Sequence, residues 1–276
     1  MHGMLLSPAA DSLDTSRISY ACYDSCGRTG EHFVSQHVVS YQITGQSLVS
    51  DGRQHYAFAP GSFRLIQRNH LLRFHKQPPA GGGAFRTVTV QLGQPLLRAL
   101  SQELGYAASP TSPTPPILPL ASHPLLQSYF DSLRPYEQLA HPVSASLQAL
   151  KVREAALVLL QVQPSLREVL FNFSAPGKLD LAAFMEQHFR FRAALPQLAY
   201  LTGRSLATFK RDFQQLFHES PSRWLRQRRL QEAYWLLATA GKAPSAAYLE
   251  VGFENLSHFS FAFKQTYGCA PSRIGG

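Results

Sequence analysis

The sequence predicts an α+β protein, with an N-terminal antiparallel β-barrel or sandwich, flanking helices and then an all-α region. Three observations predict this class. Segments rich in Val, Ile, Phe, Tyr and Thr alternate with turn residues between residues 31 and 92. Helical apolar patterns replace them after Pro95, interrupted by proline-rich sequence. From residue 180 onward all periodicity is helical.

Composition and charge narrow the class of partner. A chain of 276 residues with 45% apolar side chains can fill the cores of two domains. The net charge of +9 is uneven: residues 178–276 hold 13 Lys and Arg against 7 Asp and Glu, whereas residues 1–177 hold 13 against 10. Such a surface attracts polyanions such as nucleic acid or anionic lipid, most strongly near the C-terminus.

Neither a membrane anchor nor a disulfide framework is predicted. The sequence has no run of 18 apolar residues, and its first residues lack a basic segment followed by a sustained apolar one. Cys22, Cys26 and Cys269 are an odd number in a long chain, which argues against paired cysteines. We therefore expect a cytoplasmic protein with free thiols and no membrane contact.

The β region is predicted to extend from about residue 18 to 92. Turn signals at Gly45, Asp51-Gly52, Pro60-Gly61, Asn69 and the 78–83 loop divide it into short strands. Strands at this spacing indicate an antiparallel sandwich or barrel.

Flanking helices are expected between about residues 95 and 173. The first helix ends at Gly105, and the segment 109–119 is predicted to be a loop, because its prolines suit neither a helix nor a central strand. Three more helices are predicted at 123–133, 144–162 (beginning at Ser144 or Ser146) and 164–173. The predicted domains are 1–173 and 180–276, with a linker at 174–179.

A helix-turn-helix pattern occupies residues 195–217. A short apolar helix precedes Gly203, which permits a tight turn, and Ser205 can cap the next helix. The apolar stripe of that helix is formed by Leu206, Phe209, Phe213 and Leu216 or Phe217. The residues off the stripe are Ala207, Lys210, Arg211 and Gln214. Such a face suits base edges and phosphates in a major groove, although an ordinary solvated face fits it equally well.

The same pattern recurs about 50 residues later. Gly252 follows a short helix with Ala246, Ala247, Leu249 and Val251, and Asn255 can cap the next helix. The second apolar stripe consists of Leu256, Phe259, Phe263 and Tyr267. A helix that begins at Pro221 and runs for about 20 residues, or about 30 Å, can hold the two units roughly one DNA turn apart.

The motif "VGFENLSHFSFAFKQTYGCAPSRI" resembles the C-terminal signature of the AraC/XylS transcriptional regulators. The segment "GRSLATFKRDFQQLFHESPSRWLRQRRLQEA" is similar to the first unit and linker helix of that family, so the resemblance covers residues 180 to 273. The segments "EHFVSQHVVSYQITG" and "FAPGSFRLIQRNHLLRF" more weakly resemble the cupin-like regulatory domains of such proteins. The resemblance implies a sequence-specific transcription regulator, not an enzyme, with a cupin-like sensor and two DNA-reading units.

Carried over by position, the resemblance implies a set of DNA-binding residues. Those of the first unit are Ser205, Ala207, Thr208, Lys210, Arg211 and Gln214, and those of the second are Asn255, Leu256, Ser257, Ser260, Phe261 and Lys264. Arg223, Arg226 and Arg229 of the linker helix are placed near backbone phosphates. Phe261 departs from the family, in which a basic residue is common there, and it can contact a thymine methyl group or serve only in positioning.

The resemblance also implies partners: double-stranded promoter DNA, RNA polymerase, a second copy of the chain and an effector that is a small molecule or a protein. We expect the copies to pair through the helices of residues 124–173, whose apolar residues Leu147, Leu150, Ala155, Val158 and Leu159 exceed what one small barrel needs. The hairpin 64–75 is basic, which suits an anionic effector, but a solvated strand face is the simpler interpretation. No cofactor is predicted.

Two other functions compete with DNA binding. A cupin-type metalloenzyme with an accessory helical domain would use the histidines of the β region, which are His32, His37, His55, His70 and His75. These lack the H-x-H pair of enzymatic cupins, so no metal is predicted. A protein-interaction module, whose basic part binds an acidic partner, is the third interpretation.

Overall fold

The computed structural model describes residues 16–24, 27–106, 114–137 and 143–274. Its N-terminal part is a sandwich of two antiparallel sheets, in the orders β1-β8-β3-β6-β9 and β2-β7-β4-β5. The strands are β1 (Arg17–Tyr23), β2 (Arg28–Val34), β3 (His37–Thr44), β4 (Gln46–Ser50), β5 (His55–Phe58), β6 (Phe63–Ile66), β7 (His70–Gln77), β8 (Phe85–Leu92) and β9 (Ile117–Leu120). We call these the five-stranded and the four-stranded sheet.

The predicted α+β class and the strand-separating turns are confirmed. Gly45, Gly52, Gly61 and Asn69 all have positive φ angles, which explains why these residues break the strands. The prediction of a loop for all of 109–119 is wrong, because Ile117–Leu120 pairs with β6 as the last strand of its sheet. An edge strand tolerates proline, since its missing N–H need not meet a neighbour.

The first helices cover the outer face of the five-stranded sheet. They are α1 (Gln94–Glu103), α2 (Pro124–Ser132), α3 (Arg134–Glu137), α4 (Ala145–Val162) and, after a 3₁₀ turn at Pro164–Leu166, α5 (Arg167–Leu170). The helix predicted at 164–173 is therefore only these two short turns. Ser144 is the residue that caps α4, since its hydroxyl accepts from the Leu147 amide.

The largest core lies between these helices and the sheet. Phe63, Val90 and Leu97 belong to it, together with Ala155 and Leu159 of α4. The last two were predicted as spare apolar surface, and this prediction is wrong because they face the sheet.

The C-terminal part is helical. It contains α6 (Leu181–His188), α7 (Leu195–Leu201), α8 (Leu206–Phe217), α9 (Pro221–Ala238), α10 (Pro244–Glu250), α11 (Leu256–Tyr267) and a final 3₁₀ turn (Pro271–Arg273). The start of α9, with Trp224 and Leu225, packs in one core with α6, α7 and α8. Its second half, from Leu230 to Leu237, packs in another with α10 and α11. One continuous helix thus joins two small helical cores.

The four-stranded sheet docks against the first of these cores. Leu71 of β7 is buried in it, and the Phe33 ring meets the Tyr200 ring edge-on at 6.3 Å. Glu31 receives Arg73 Nε at 3.0 Å and Nη2 at 2.6 Å, and its other oxygen accepts from the Arg192 amide at 2.6 Å. The sandwich is therefore held directly to the loop that follows α6. No helix within the described ranges is both long and apolar enough to cross a bilayer.

Candidate nucleic-acid interface

Two turn-helix units stand at opposite ends of α9, and a glycine makes each turn. Gly203 has φ +66° and Gly252 has φ +91°, a conformation that side chains disfavour. A Cβ at Gly203 would lie 2.5 Å from the Gly177 carbonyl group, and one at Gly252 would lie 2.3 Å from the Arg190 carbonyl oxygen. Backbone conformation and close approach therefore both require glycine here.

The helix after each turn begins at the predicted cap. The Ser205 hydroxyl accepts from the Thr208 amide at 3.2 Å, and the Asn255 Oδ1 accepts from the Ser257 and His258 amides at 2.7 and 3.2 Å. These bonds satisfy amides that the first turn of a helix leaves unpaired. Ser205 and Asn255 thus fix the start of α8 and of α11 and remain exposed themselves.

The outward face of α8 is basic. The predicted residues Ala207, Lys210, Arg211 and Gln214 are exposed, and Thr208 is half-buried. Phe209 and Phe213 are fully buried, and Phe217 rather than Leu216 completes the apolar stripe by packing on Trp224. The nearest acid, Asp212, accepts from Arg204 Nε at 3.0 Å and lies 3.8 Å from Arg211. Lys210 has no ion pair among the described residues and Arg211 has only this long one, so both exposed cations can meet an external anion.

The outward face of α11 has a different chemistry. Leu256, Ser257, Phe261 and Lys264 are exposed and Ser260 is half-buried, while Phe259 and Phe263 form the core. Phe261 is the most exposed aromatic residue of this helix, at 65%. In the preceding α10, Leu249 is 47% exposed, whereas Ala247 and, just after the helix, Val251 are buried against α9 and α11.

The arginines of α9 fall into two groups. Arg223 and Arg226 are exposed, and the only ion pair of Arg223 in the described residues is with Glu219 at 3.5 Å. Arg229 instead donates to the Phe189 and Phe191 carbonyl oxygens, both at 2.7 Å. The phosphate role predicted for Arg229 is therefore wrong, because its guanidinium group is occupied by the loop after α6.

Sequence reasoning gave no role to Arg204, which positions the first unit. Besides its pair with Asp212, its Nη1 donates to the Leu179 and Thr202 carbonyl oxygens at 3.0 and 2.8 Å. The sequence hint of this role is the position of Arg204, between the turn glycine Gly203 and the capping residue Ser205. The partners themselves could not be inferred, because Leu179 lies 25 residues away.

The histidines and cysteines do not form a metal centre in the part of the chain that the structure describes. No three His, Cys, Asp or Glu side chains meet there in a way that could hold an ion. Burial, together with Arg68 and His70, lowers the pKa of His37 to about 3, and its Nδ1 accepts from the Arg68 amide. Cys22 and Cys269 are free thiols, and Cys26 lies outside the described residues.

Two family models match separate parts of the chain. A model of the ExsA N-terminal regulatory domain matches residues 37–170, and a model of a helix-turn-helix domain matches residues 198–275. The HTH-type transcriptional regulator ExsA of Pseudomonas aeruginosa is 28% identical over 238 residues, which are 84% of this chain and 83% of that protein.

Two further proteins are similar. The virulence regulon transcriptional activator VirF of Yersinia enterocolitica is 29% identical over 130 residues, which are 42% of this chain and 48% of that protein. The crystal structure of an apo ToxT variant from Vibrio cholerae aligns with 94% of this chain and 97% of its own, at 14% identity and a TM-score of 0.47. None of these findings favours a cupin-type metalloenzyme.

Proposed function

Because the chain is a member of the AraC/XylS family of transcriptional regulators, we propose that α8 and α11 read promoter DNA in two successive major grooves. The observation that carries this proposal is the pair of glycine-turned, side-chain-capped helices at the two ends of α9. An 18-residue helix is about 27 Å long, which suits a separation of roughly one DNA turn, ~34 Å between groove positions. The division into domains 1–173 and 180–276 is part of the proposal.

In the first unit, Lys210 and Arg211 provide the cationic contacts. Arg211 suits the bidentate acceptors of guanine, and Lys210 suits a phosphate or a guanine edge. Ala207 and Gln214 flank them on the exposed face, where a small side chain lets the helix enter the groove. Ser205 and Thr208 stand at the helix N-terminus, whose amides and dipole favour a phosphate.

In the second unit, contact is mainly apolar and hydroxylic. Phe261 and Leu256 can meet thymine methyl groups, and Ser257 and Ser260 can donate to or accept from either kind of base pair. Asn255 stands at the helix N-terminus and Lys264 on the exposed side, next to phosphates. Arg223 and Arg226 add phosphate contacts from α9, which supply affinity rather than sequence discrimination.

A titration with DNA tests this function. Duplexes selected from a random pool by the full chain are labelled, and binding is followed by fluorescence anisotropy against a scrambled duplex. We expect tight, salt-sensitive binding that the double variant Lys210→Ala and Arg211→Ala weakens by about a hundredfold. The control Arg17→Ala removes an exposed charge from the sandwich and should bind like the unmodified chain. Equal binding by all three proteins would contradict the assignment of α8 to a groove.

A second copy of the chain is proposed to pair through α4. Leu147 and Leu150 are both exposed on this helix, Leu150 at 63%, although Val152 and Ala156 are buried in the core. The variant Leu150→Glu should shift the sedimentation velocity from dimer to monomer, whereas Leu104→Glu, at another exposed leucine, should not. An unchanged dimer in Leu150→Glu would place the contact elsewhere.

The remaining partners complete the regulatory proposal. The sandwich senses an effector and controls promoter binding, and the DNA-bound protein acts in the cytoplasm as an activator through RNA polymerase. Support for activation comes from the relative that is named a transcriptional activator. Promoter-reporter output with and without the chain tests it, and a fall in transcription when the chain is present would contradict activation.

A further inference from the structure

The space between the two sheets holds two cations, one from each sheet. Arg64 stands between Phe63 and Leu65, which face the helices, so strand alternation turns its side chain inward. Its guanidinium carbon lies 4.4 Å from the centre of the Phe58 ring on the opposite sheet. Lys76 points inward from that sheet, with Nζ 4.8 Å from the Phe74 ring and 5.7 Å from the Phe85 ring.

These cations lack counter-charges. Arg64 is only 3% exposed, and its Nε and Nη1 are buried without a hydrogen-bond acceptor. In the described residues, no carboxylate lies within 4.0 Å of the charged nitrogens of Arg64 or Lys76. Burial lowers the pKa of Arg64 to about 10, and burial together with Arg64 and Arg28 lowers that of Lys76 to about 8. Arg64 is buried and Lys76 half-buried. Buried charge without a partner opposes folding, so an anion that paired with these groups would stabilise the fold.

Several uncharged polar groups of the same interior have partners, whereas the Tyr23 hydroxyl, whose ring stacks on Phe85 at 5.0 Å, is buried without one. Ser47 donates to Gln42 Oε1 at 2.7 Å, and Gln42 Nε2 donates to the Thr44 carbonyl oxygen at 2.8 Å. Thr87 donates to the Tyr41 carbonyl oxygen at 2.9 Å and lies 3.3 Å from the Ser40 hydroxyl. The groups without partners are therefore donors: two guanidinium N–H groups of Arg64 and the Tyr23 hydroxyl. An oxyanion can accept from such donors and also supplies the counter-charge that the two cations lack.

A cavity lies close to the Lys76 end of this interior. This cavity of about 660 Å³ opens at the end of the sandwich where β7 ends, and it is lined by Gly27, Thr44, Gly45, Gln46, Pro60 and Gln77. Gln77 directly follows Lys76 in the chain. A Cβ at Gly45 would lie 2.9 Å from the Phe85 ring, which is the ring that Lys76 approaches. The cavity thus adjoins the Lys76 end of the interior, through Gln77 and Gly45, and the cations themselves lie beyond its lining.

We propose that the sandwich binds a compact oxyanion, a carboxylate or a phosphate group, between Arg64 and Lys76. The guanidinium fork of Arg64 matches both groups bidentately, and Lys76 supplies a second point charge. The oxyanion is thereby the chemical class of the effector. Any effect of its binding on regulation rests on the proposed function, whereas the binding itself is independent of that function.

Thermal unfolding of the full chain tests the site. Benzoate and inorganic phosphate serve as the two probes, each compared with sodium chloride at equal ionic strength. At a tenfold excess over its dissociation constant, the anion that binds should raise the midpoint by about 4 °C. The control Arg17→Met, at an exposed strand arginine, should keep this shift, and Arg64→Met should lose it. A shift with benzoate alone identifies a carboxylate site, and one with phosphate alone a phosphate site.

Three results would overturn the proposal. In the first, neither probe raises the unfolding midpoint more than chloride does at concentrations up to roughly 10 mM, about the weakest binding expected of a specific small ligand. In the second, Arg64→Met keeps the shift, as the control Arg17→Met does. In the third, the Arg64 Nε–H signal in the NMR spectrum of the unmodified chain stays fixed during the titration. The NMR measurement keeps the test valid if Arg64→Met does not fold. Since no DNA is present, a negative result leaves the DNA-binding function standing, and failure of DNA binding leaves this result unaffected.

Discussion

The two helix-turn-helix units share one backbone design but expose different chemistry. Each has a glycine turn, a side-chain cap and two fully buried phenylalanines at i and i+4, which are Phe209 and Phe213 in one and Phe259 and Phe263 in the other. The first exposes Lys210 and Arg211, and the second exposes Phe261. The buried half of each pattern therefore fixes the structure, and the exposed half is free to diverge in what it recognises.

Arg229 ties the two units to the same loop. Its guanidinium group binds the carbonyl oxygens of Phe189 and Phe191, and Gly252 of the second turn packs on the Arg190 carbonyl oxygen between them. The loop also receives Glu31 of the sandwich through the Arg192 amide. The DNA binding of the two units can therefore be compared only in variants that keep this shared junction intact.

The largest expected effect comes from breaking that junction. Arg229→Met leaves two carbonyl oxygens without donors, and we expect a loss of about 3 kcal/mol in the free energy of unfolding by urea. Arg226→Met, one turn away and exposed, should change stability by less than about 0.5 kcal/mol. Equal stability of the two variants would mean that the junction does not hold the units together.

A smaller effect is expected when the charges of the two units are compared. Arg211→Ala should weaken binding to the selected duplex about tenfold with loss of discrimination in one half-site. Lys264→Ala should weaken binding to all duplexes alike and reduce the slope of log K against log salt by about 1. Titrations from 50 to 200 mM salt, roughly the range in which such slopes are read, separate the two outcomes. If both variants affect all duplexes alike, the first helix reads no bases.

The smallest effect concerns the two caps. Asn255→Ala and Ser205→Ala should each lower the free energy of unfolding by about 1 kcal/mol, with the larger loss at Asn255 because it accepts from two amides and Ser205 from one. Ser222→Ala, at an exposed position of α9, is the matched control. The reverse order of the two losses would show that the number of amides a cap accepts from does not set its contribution to stability.

The sequence predicted the units well because their signals are local. Turn glycines, caps and the phenylalanine spacing act within a few residues, so α8, α9 and α11 could be placed without a structure. Other features depend on partners far along the chain. They are the hydrogen bonds of Arg229, the edge strand at Ile117–Leu120 and the exposure of Leu249. The same holds for Arg64, whose neighbour Phe58 identifies it as inward-facing only once the sheets are stacked. Which bases each helix contacts stays a prediction.

The unequal reading of DNA by the two units is tested most directly by selecting bound duplexes from a random pool with the unmodified chain and with Phe261→Arg. Phe261 is exposed, so the substitution should leave the urea unfolding midpoint unchanged. The unmodified chain should select two half-sites about 10 base pairs apart, and the variant should keep the first and change the preferred bases of the second, replacing thymine by guanine. A single half-site, or identical preferences of the two proteins, would contradict the assignment of α11 as a second reading helix.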